Sequence, residues 1–250
     1  MMESIILTAR ILMFDTFILL SLIASIFLSF SLAPLGCLLL WRRQAFFGDA
    51  MAHCAMLGVA ISLLWGISPL WGILLVCALL SALLAYGPTL FKLPSDAWLG
   101  LLSYTLMAIA FIVMRYLPRG GPRGSATVEQ FLFGDLLLLN NQDIILLGLL
   151  SVVVLGFLYI FWRKLILITL DSDWAVVEGI SPSHVTFLFL LLLSCVVAAT
   201  LPIVGALLVP GLMLLPGAIA AQFSKSPESM IKRSIISALF MLYGDRKAHV

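Results

Sequence analysis

Charge is what this sequence has least of. Only 10% of its 250 residues are Asp, Glu, Lys or Arg, whereas 63% are hydrophobic. Soluble domains average about a quarter charged and about half apolar residues. The net charge is +2, and the sequence has no basic stripe of the kind that follows a phosphate backbone. The composition excludes an ordinary water-soluble domain, and we expect no nucleic-acid partner.

Motifs for catalysis are missing as well. The sequence contains no Walker A loop, no Ser-His-Asp set and no CxxC pair. We therefore expect no enzyme activity, and in particular no ATP hydrolysis by this chain. The cysteines all lie inside apolar runs, where cysteine packs as a small hydrophobe. They are Cys37, Cys54, Cys77 and Cys195.

The uncharged runs are long enough to cross a bilayer, which takes about 20 apolar residues per helix. They are apolar on every face, unlike the alternating strands of a membrane barrel. Two runs are about twice that length and contain turn residues, at 66–69 and 200–202, so each predicts a helical pair. The sequence predicts an all-α polytopic transmembrane helical bundle of about seven to eight spans, forming one domain over residues 1–250. The runs are 16–41, 50–91, 97–114, 144–162 and 179–224, with a half-length remnant at 234–244.

Basic residues predict the orientation of the spans by a narrow margin. If Arg42 and Arg43 lie in the cytoplasm and the spans alternate, eight of the 14 basic residues are cytoplasmic, as the positive-inside rule favours. The Gly- and Pro-rich segment 118–124 must be a connection outside the hydrocarbon. In this orientation it lies outside the cell, and its arginines are the main argument against the assignment.

Two loops assigned to the cytoplasm, near 171–183 and 222–233, contain helix start signals. Asp171 is a capping residue, and Gly179 is a stop signal for a short surface helix. Ser226 is placed as an N-cap with Pro227 at the first helical position and basic residues at the end. The second loop therefore predicts a short amphipathic helix with only surface contacts. Either lipid headgroups or a protein could be what it lies against.

Asp49 and His53 are the first candidates for function, because ionisable residues are costly inside a bilayer. They are four apart, so they share one face of a helix. A carboxylate and an imidazole make a partial shell for Zn²⁺, Mn²⁺ or Fe²⁺. The alternative is that Asp49 only caps the helix and His53 bonds a carbonyl. The Phe-Gly-Asp triplet recurs at 133–135. For Asp135, a role as a helix cap is at least as well supported as a functional role.

Two Pro-Gly pairs, at Pro210 and Pro216, lie in one apolar run. Proline inside a helix removes a backbone hydrogen bond and kinks the helix. Membrane proteins tolerate this mainly where the freed groups line a cavity or are bonded by neighbours. We therefore expect Pro210 and Pro216 to belong to a pathway-lining helix.

These segments resemble the zinc, manganese and iron family of ABC importer permeases. The resemblance extends over 33–60, 131–137, 171–179 and 205–221. The form Trp-Arg-Arg-x-x-Phe-Phe-Gly-Asp at 41–49 is most similar to the zinc-uptake members. The resemblance implies a homodimeric permease of the bacterial inner membrane with a central metal path. It also implies two partners, a zinc-type ABC ATPase and a periplasmic or surface metal-binding protein.

The resemblance also implies roles for particular residues. Asp49 and His53 match the family's metal contacts. The metal is transported cargo rather than a permanently bound cofactor, and the resemblance to the zinc-uptake members favours zinc. The stretch 216–233 matches the loop that docks into the ATPase, with Pro227, Glu228, Lys232 and Arg233 as docking residues. Because family members continue through a further complete helix, we expect the helix at 234–250 to be truncated. A stand-alone metal carrier or channel, or a nonfunctional remnant, are the alternatives.

Overall fold

A computed structural model describes residues 2–44, 46–91, 95–116, 134, 140–206 and 208–247. Every regular element in these ranges is an α-helix, and six helices are long and apolar enough to cross a membrane, namely α1 to α5 and α7. The all-α transmembrane bundle is thus confirmed. Segment 118–124, Asp135 and residues 248–250 lie outside the described part. The helices are α1 Met2–Trp41, α2 Phe47–Trp65, α3 Pro69–Phe91, α4 Ser95–Arg115, α5 Asn141–Leu170, α6 Ser172–Val177, α7 Pro182–Val204, α8 Val209–Phe223 and α9 Pro227–Lys247.

The predicted break between α2 and α3 is confirmed at Gly66. This residue has a φ of 69° and donates its N–H to the carbonyl of Ser62, and Pro69 then begins α3. The two helices pack closely, because a Cβ added to Gly58 would lie only 2.6 Å from the Cα of Ile73. Glycine at this position lets the two backbones approach, as small residues do between membrane helices.

The second predicted pair is present, but its break is displaced along the chain. Helix α7 continues through Pro202 and ends at Val204, and the connection to α8 begins at Gly205 with a φ of 87°. Pro202 lies in the last turn of the helix and does not end it. The positive φ of Gly205, which glycine adopts without steric cost, marks the end of the helix instead.

Both predicted helix caps are confirmed. The Asp171 carboxylate accepts the N–H groups of Asp173 at 2.9 Å and Trp174 at 3.2 Å, which starts the short helix α6. The Ser226 hydroxyl accepts the N–H of Ser229 at 3.3 Å, at the start of α9. Local capping chemistry of this kind is readable from the sequence because donor and acceptor are only a few residues apart.

Helix α9 differs from the prediction after its first two turns. It does not end at the basic pair 232–233 but continues to Lys247. Met230, Ser234 and Ala238 are buried, and Met230 packs with Cys37 of α1 and Ala220 of α8. The expectation of a short helix with only surface contacts is therefore wrong, because packing against α1 and α8 extends and holds it.

The interior of the bundle is built from α1, α2 and α7. Helix α2 packs against α3 and α4, and its start meets α8. Helix α7 lies between α3 and α5, and α1 contacts α5, α8 and α9. Helices α4 and α5 bury only 22% of their most apolar stretches inside the bundle, and side chains such as Tyr159 and Ile160 are exposed, which suits a surface that faces lipid.

Candidate metal-contact site at the start of helix α2

Asp49 lies in the first turn of α2 and is exposed in the single chain. The capping position belongs to Phe46, whose backbone is in the right-handed helical region and which makes no side-chain cap bond. Asp49 is therefore not the residue that caps α2. Its charge still lies at the positive end of the helix dipole, which favours a carboxylate there.

His53 lies one turn further along the same helix and is half-buried. Its Nδ1 lies 2.8 Å from the hydroxyl oxygen of Ser103 on α4. The imidazole thus bonds a side chain of a neighbouring helix rather than a backbone carbonyl. Asp49 and His53 lie four residues apart on this continuous helix, so the shared face expected from their spacing is present.

Ser103 was not found by reading the sequence. It is buried within the apolar run of α4, on the same inner face as Leu99 and Ala110. A polar residue at a helix-periodic position among buried apolar ones is the only signal that could have identified it. Its partner is 50 residues away along the chain, a distance that no local pattern spans.

The start of α8 lies beside the start of α2. A Cβ added to Gly48 would lie 2.9 Å from the Cβ of Pro210, so Pro210 adjoins the residue before Asp49. Because Pro210 occupies one of the first two positions of α8, its missing N–H interrupts no helical bond and produces no kink. The structure therefore brings Pro210 next to the metal-contact candidates without the kink expected from the sequence.

Pro216 lies elsewhere on α8. It is buried in the helix interior, and its carbonyl accepts the Ser237 hydroxyl of α9 at 3.1 Å. The next residue, Gly217, lies close to α1, since an added Cβ would lie 2.9 Å from a methyl of Leu40 and 3.4 Å from the backbone nitrogen of Cys37. Pro216 thus sits where α1, α8 and α9 pack together.

The glycine of the repeated triplet, Gly134, also lies against the connection between α7 and α8. Gly134, with a φ of 73°, places an added Cβ only 2.6 Å from the backbone nitrogen of Gly205. Gly48 of the first triplet adjoins Pro210 after the same connection. The two glycines of the repeat are therefore close-approach positions on either side of residues 205–208, a relation that the sequence repeat alone did not indicate.

Arg42 fixes the segment from which α2 starts. Its guanidinium donates to the Thr186 hydroxyl of α7 at 3.1 Å and lies 5.2 Å from the centre of the Phe189 ring. Burial lowers the pKa of Arg42 to about 10, so the side chain stays cationic at neutral pH. It therefore ties the end of α1 to the start of α7 as a charged group.

The site has only two candidate metal ligands among the described residues, Asp49 and His53. Within the described ranges, no three His, Cys, Asp or Glu side chains are grouped so that they could hold a metal ion. If Asp49 and His53 bind zinc, they would supply one oxygen and one nitrogen, and water or groups from elsewhere would complete its four-coordination. Two protein ligands can contact an ion in passage but are too few for a permanent structural site.

The predicted docking residues lie at the exposed start of α9. Pro227, Glu228, Lys232 and Arg233 are all exposed. The Arg233 guanidinium donates to the carbonyl of Phe223, the last residue of α8. Arg233 thus joins α8 to α9, while Glu228 and Lys232 present their charges to the surroundings.

Comparison with known proteins agrees with this architecture. The family model for the ABC 3 transport family matches residues 14–245. The high-affinity zinc uptake system membrane protein ZnuB of Haemophilus influenzae is 30% identical over 90% of this chain and 84% of its own length. The manganese transport system membrane protein MntC of Bacillus subtilis is 30% identical over 79% of this chain and 46% of its own.

A solved structure has the same fold. PsaBC from Streptococcus pneumoniae, in complex with Fab, matches with a TM-score of 0.74 and 25% identity over 90% of this chain and 79% of that chain. The family match over residues 14–245 includes α2 and α4, which carry Asp49, His53 and Ser103, so the resemblance inferred from the motifs is confirmed. The chain belongs to the ABC 3 transport family and is a multi-pass membrane permease component of an ABC importer for metal ions.

Proposed function

We propose that this permease imports zinc and that Asp49 and His53 contact the ion as it crosses the membrane. The observation that carries the proposal is the placement of the two side chains. They lie one turn apart on an interior helix, Asp49 is not used as a cap, and a neighbouring helix holds the His53 ring. An oxygen and a nitrogen ligand suit Zn²⁺ at about 2.0–2.2 Å.

An incomplete ligand set suits a transporter better than a complete one. A permease must release the ion on the far side of the membrane, so strong coordination by one conformation would oppose transport. Alternating access requires that the ion be bound differently in two conformations. We propose that hydrolysis of ATP by a separate subunit drives the exchange between them.

The partner subunits follow from the same proposal. The exposed start of α9, with Glu228 and Lys232, is the surface we assign to the ATPase. A metal-binding protein outside the cytoplasm delivers zinc, and two copies of this chain form the membrane unit. The alternative of a stand-alone carrier needs no ATPase contact, so reversal of charge at the start of α9 separates the two.

Metal uptake by cells that depend on this permease tests the assignment of Asp49 and His53. Loss of even a hydrogen-bond partner of a metal ligand typically costs about 10- to 100-fold, so Asp49→Asn and His53→Ala should each lower the rate of zinc uptake at least about tenfold, with unchanged amounts of protein in the membrane. Matched controls are Asp173→Asn and His184→Ala, which change an exposed carboxylate and an exposed imidazole outside α2. Parental uptake by both α2 variants would remove the site assignment.

The choice of zinc over manganese is tested by competition. Oxygen ligands suit Mn²⁺, whereas imidazole nitrogen suits Zn²⁺. Zinc uptake should therefore resist a tenfold excess of Mn²⁺, and growth in chelated medium should be restored by zinc alone. Equal competition by manganese would make manganese a second cargo.

A further inference from the structure

The inner face of α4 contains one polar side chain that points across to α2. Leu99, Ser103 and Ala110 are buried on this face, and the Ser103 hydroxyl meets Nδ1 of His53 at 2.8 Å. A hydroxyl buried among apolar groups costs free energy unless it is hydrogen-bonded. The bond to His53 meets that need for Ser103 and, at the same time, fixes the imidazole ring.

Two other helical hydroxyls, those of Thr105 and Ser25, bond within their own helices instead. Thr105, two residues further along α4, donates to the Leu101 carbonyl of its own helix at 2.7 Å. Ser25 of α1 makes the same four-residue bond at 2.7 Å. Such bonds need no partner on a second helix, and any helical serine can make them. The bond of Ser103 to a side chain on another helix therefore gives it a position-specific partner.

The nitrogen that faces Ser103 decides which nitrogen of His53 is free to bind a metal ion. An imidazole binds metal through a nitrogen that has no proton, and its other nitrogen then donates a hydrogen bond. Because Nδ1 is occupied by Ser103, the nitrogen left for a ligand is Nε2. That state requires the proton on Nδ1, donated to the Ser103 oxygen.

We propose that Ser103 is the positioning residue that orients His53 and keeps Nε2 as its metal-binding nitrogen. The inference rests on the proposed role of His53 and adds a residue on α4 to the path. It also gives α4 a function beyond packing, since any change in the distance between α2 and α4 would alter the hold on the ring.

Kinetics of zinc uptake by the intact transporter test this proposal. Loss of a second-layer partner typically weakens metal binding or activity about 10- to 100-fold. Ser103→Ala should therefore raise the apparent KM for zinc about tenfold, with the maximal rate and the amount in the membrane within about twofold of the parent. Ser103→Thr keeps the hydroxyl and should retain the parental KM. Thr105→Val, which removes a hydroxyl bonded only within α4, is the matched control.

The outcomes separate the two proposals. If His53→Ala abolishes uptake while Ser103→Ala leaves KM unchanged, the positioning role is wrong and the metal contact stands. If neither variant changes uptake, both proposals fall. A KM raised equally by Thr105→Val, or raised in Ser103→Thr as much as in Ser103→Ala, would mean that α4 packing rather than the hydroxyl is responsible and would overturn the role of Ser103.

Discussion

The starts of helices α2 and α9 differ in side-chain capping: α9 has a side-chain cap and α2 has none. Helix α9 has a capping serine, Ser226, whose hydroxyl accepts the N–H of Ser229, and Glu228 and Lys232 in its first two turns are exposed. Helix α2 begins at Phe47, and its N-cap residue Phe46 makes no side-chain cap bond, although Asp49 lies in the first turn. A strong capping residue type is thus present at both starts but used at only one.

The difference shows that a polar residue near a helix start need not be used to cap the helix. At α9, the cap accounts for Ser226, and the exposed charges of Glu228 and Lys232 are left for a partner. At α2, the turn is held from outside, by the fit of Gly48 against Pro210 and by Arg42 on α7. Asp49 and His53 are therefore left for chemistry. We propose that the start of α9 contacts the ATPase and that the start of α2 contacts the metal ion.

The largest contrast is expected in labelling across the membrane. A cysteine replacing Lys225, beside the start of α9, should not react with an impermeant thiol reagent added from outside. A cysteine placed at 119–127 should react completely. Three of the four native cysteines, Cys37, Cys54 and Cys77, are buried, and a Cys195→Ala background removes the partly exposed fourth. Labelling at position 225 from outside would place the start of α9 on the wrong side for an ATPase.

Reversal of charge at the start of α9 should weaken the ATPase contact. Opposed like charges in an interface cost several kcal/mol, so Glu228→Arg or Lys232→Glu should lower co-purification of the ATPase at least about tenfold. Asp173→Lys, which reverses an exposed charge on α6, is the matched control. A proline at Met230 is unsuitable for this purpose, because Met230 is buried against α1 and α8 and the variant would damage the bundle. Full ATPase recovery with both reversals would leave α9 without a docking role.

Removal of the cap should have the smallest effect. Ser226→Ala is expected to destabilise the start of α9 by about 1 kcal/mol, the usual cost of losing such a cap. Phe46→Ala at the uncapped start of α2 has no cap bond to lose and should change stability by less than about 0.5 kcal/mol. Thermal unfolding of the two purified variants measures the difference. An equal loss at both positions would show that Ser226 is not a working cap.

Local features of the fold could be predicted from the sequence. Gly66 and Pro69 mark the turn between α2 and α3, and Asp171 and Ser226 mark helix starts, because each acts on residues within one turn. The break after α7 was misplaced, since Pro202 is the stronger signal in sequence but Gly205 adopts the positive φ. The length of α9 was missed because it depends on burial of Met230 against two other helices.

The candidate site could be predicted only in part. The four-residue spacing of Asp49 and His53 suffices to place them on one face of a helix. Contacts between distant segments were inaccessible, because the pairing of His53 with Ser103 and of Gly48 with Pro210 depends on how helices pack. The sequence also made Pro210 and Pro216 equivalent, whereas one adjoins Asp49 through Gly48 and the other bonds Ser237 of α9.

One paired measurement tests whether the start of α2 contacts the metal ion while the start of α9 contacts the ATPase. Zinc uptake and ATPase co-purification are measured together for His53→Ala and Glu228→Arg, expressed to equal amounts in the membrane. His53→Ala should lose uptake but retain the ATPase, whereas Glu228→Arg should lose both. Loss of the ATPase by His53→Ala, or parental uptake by either variant, would contradict it.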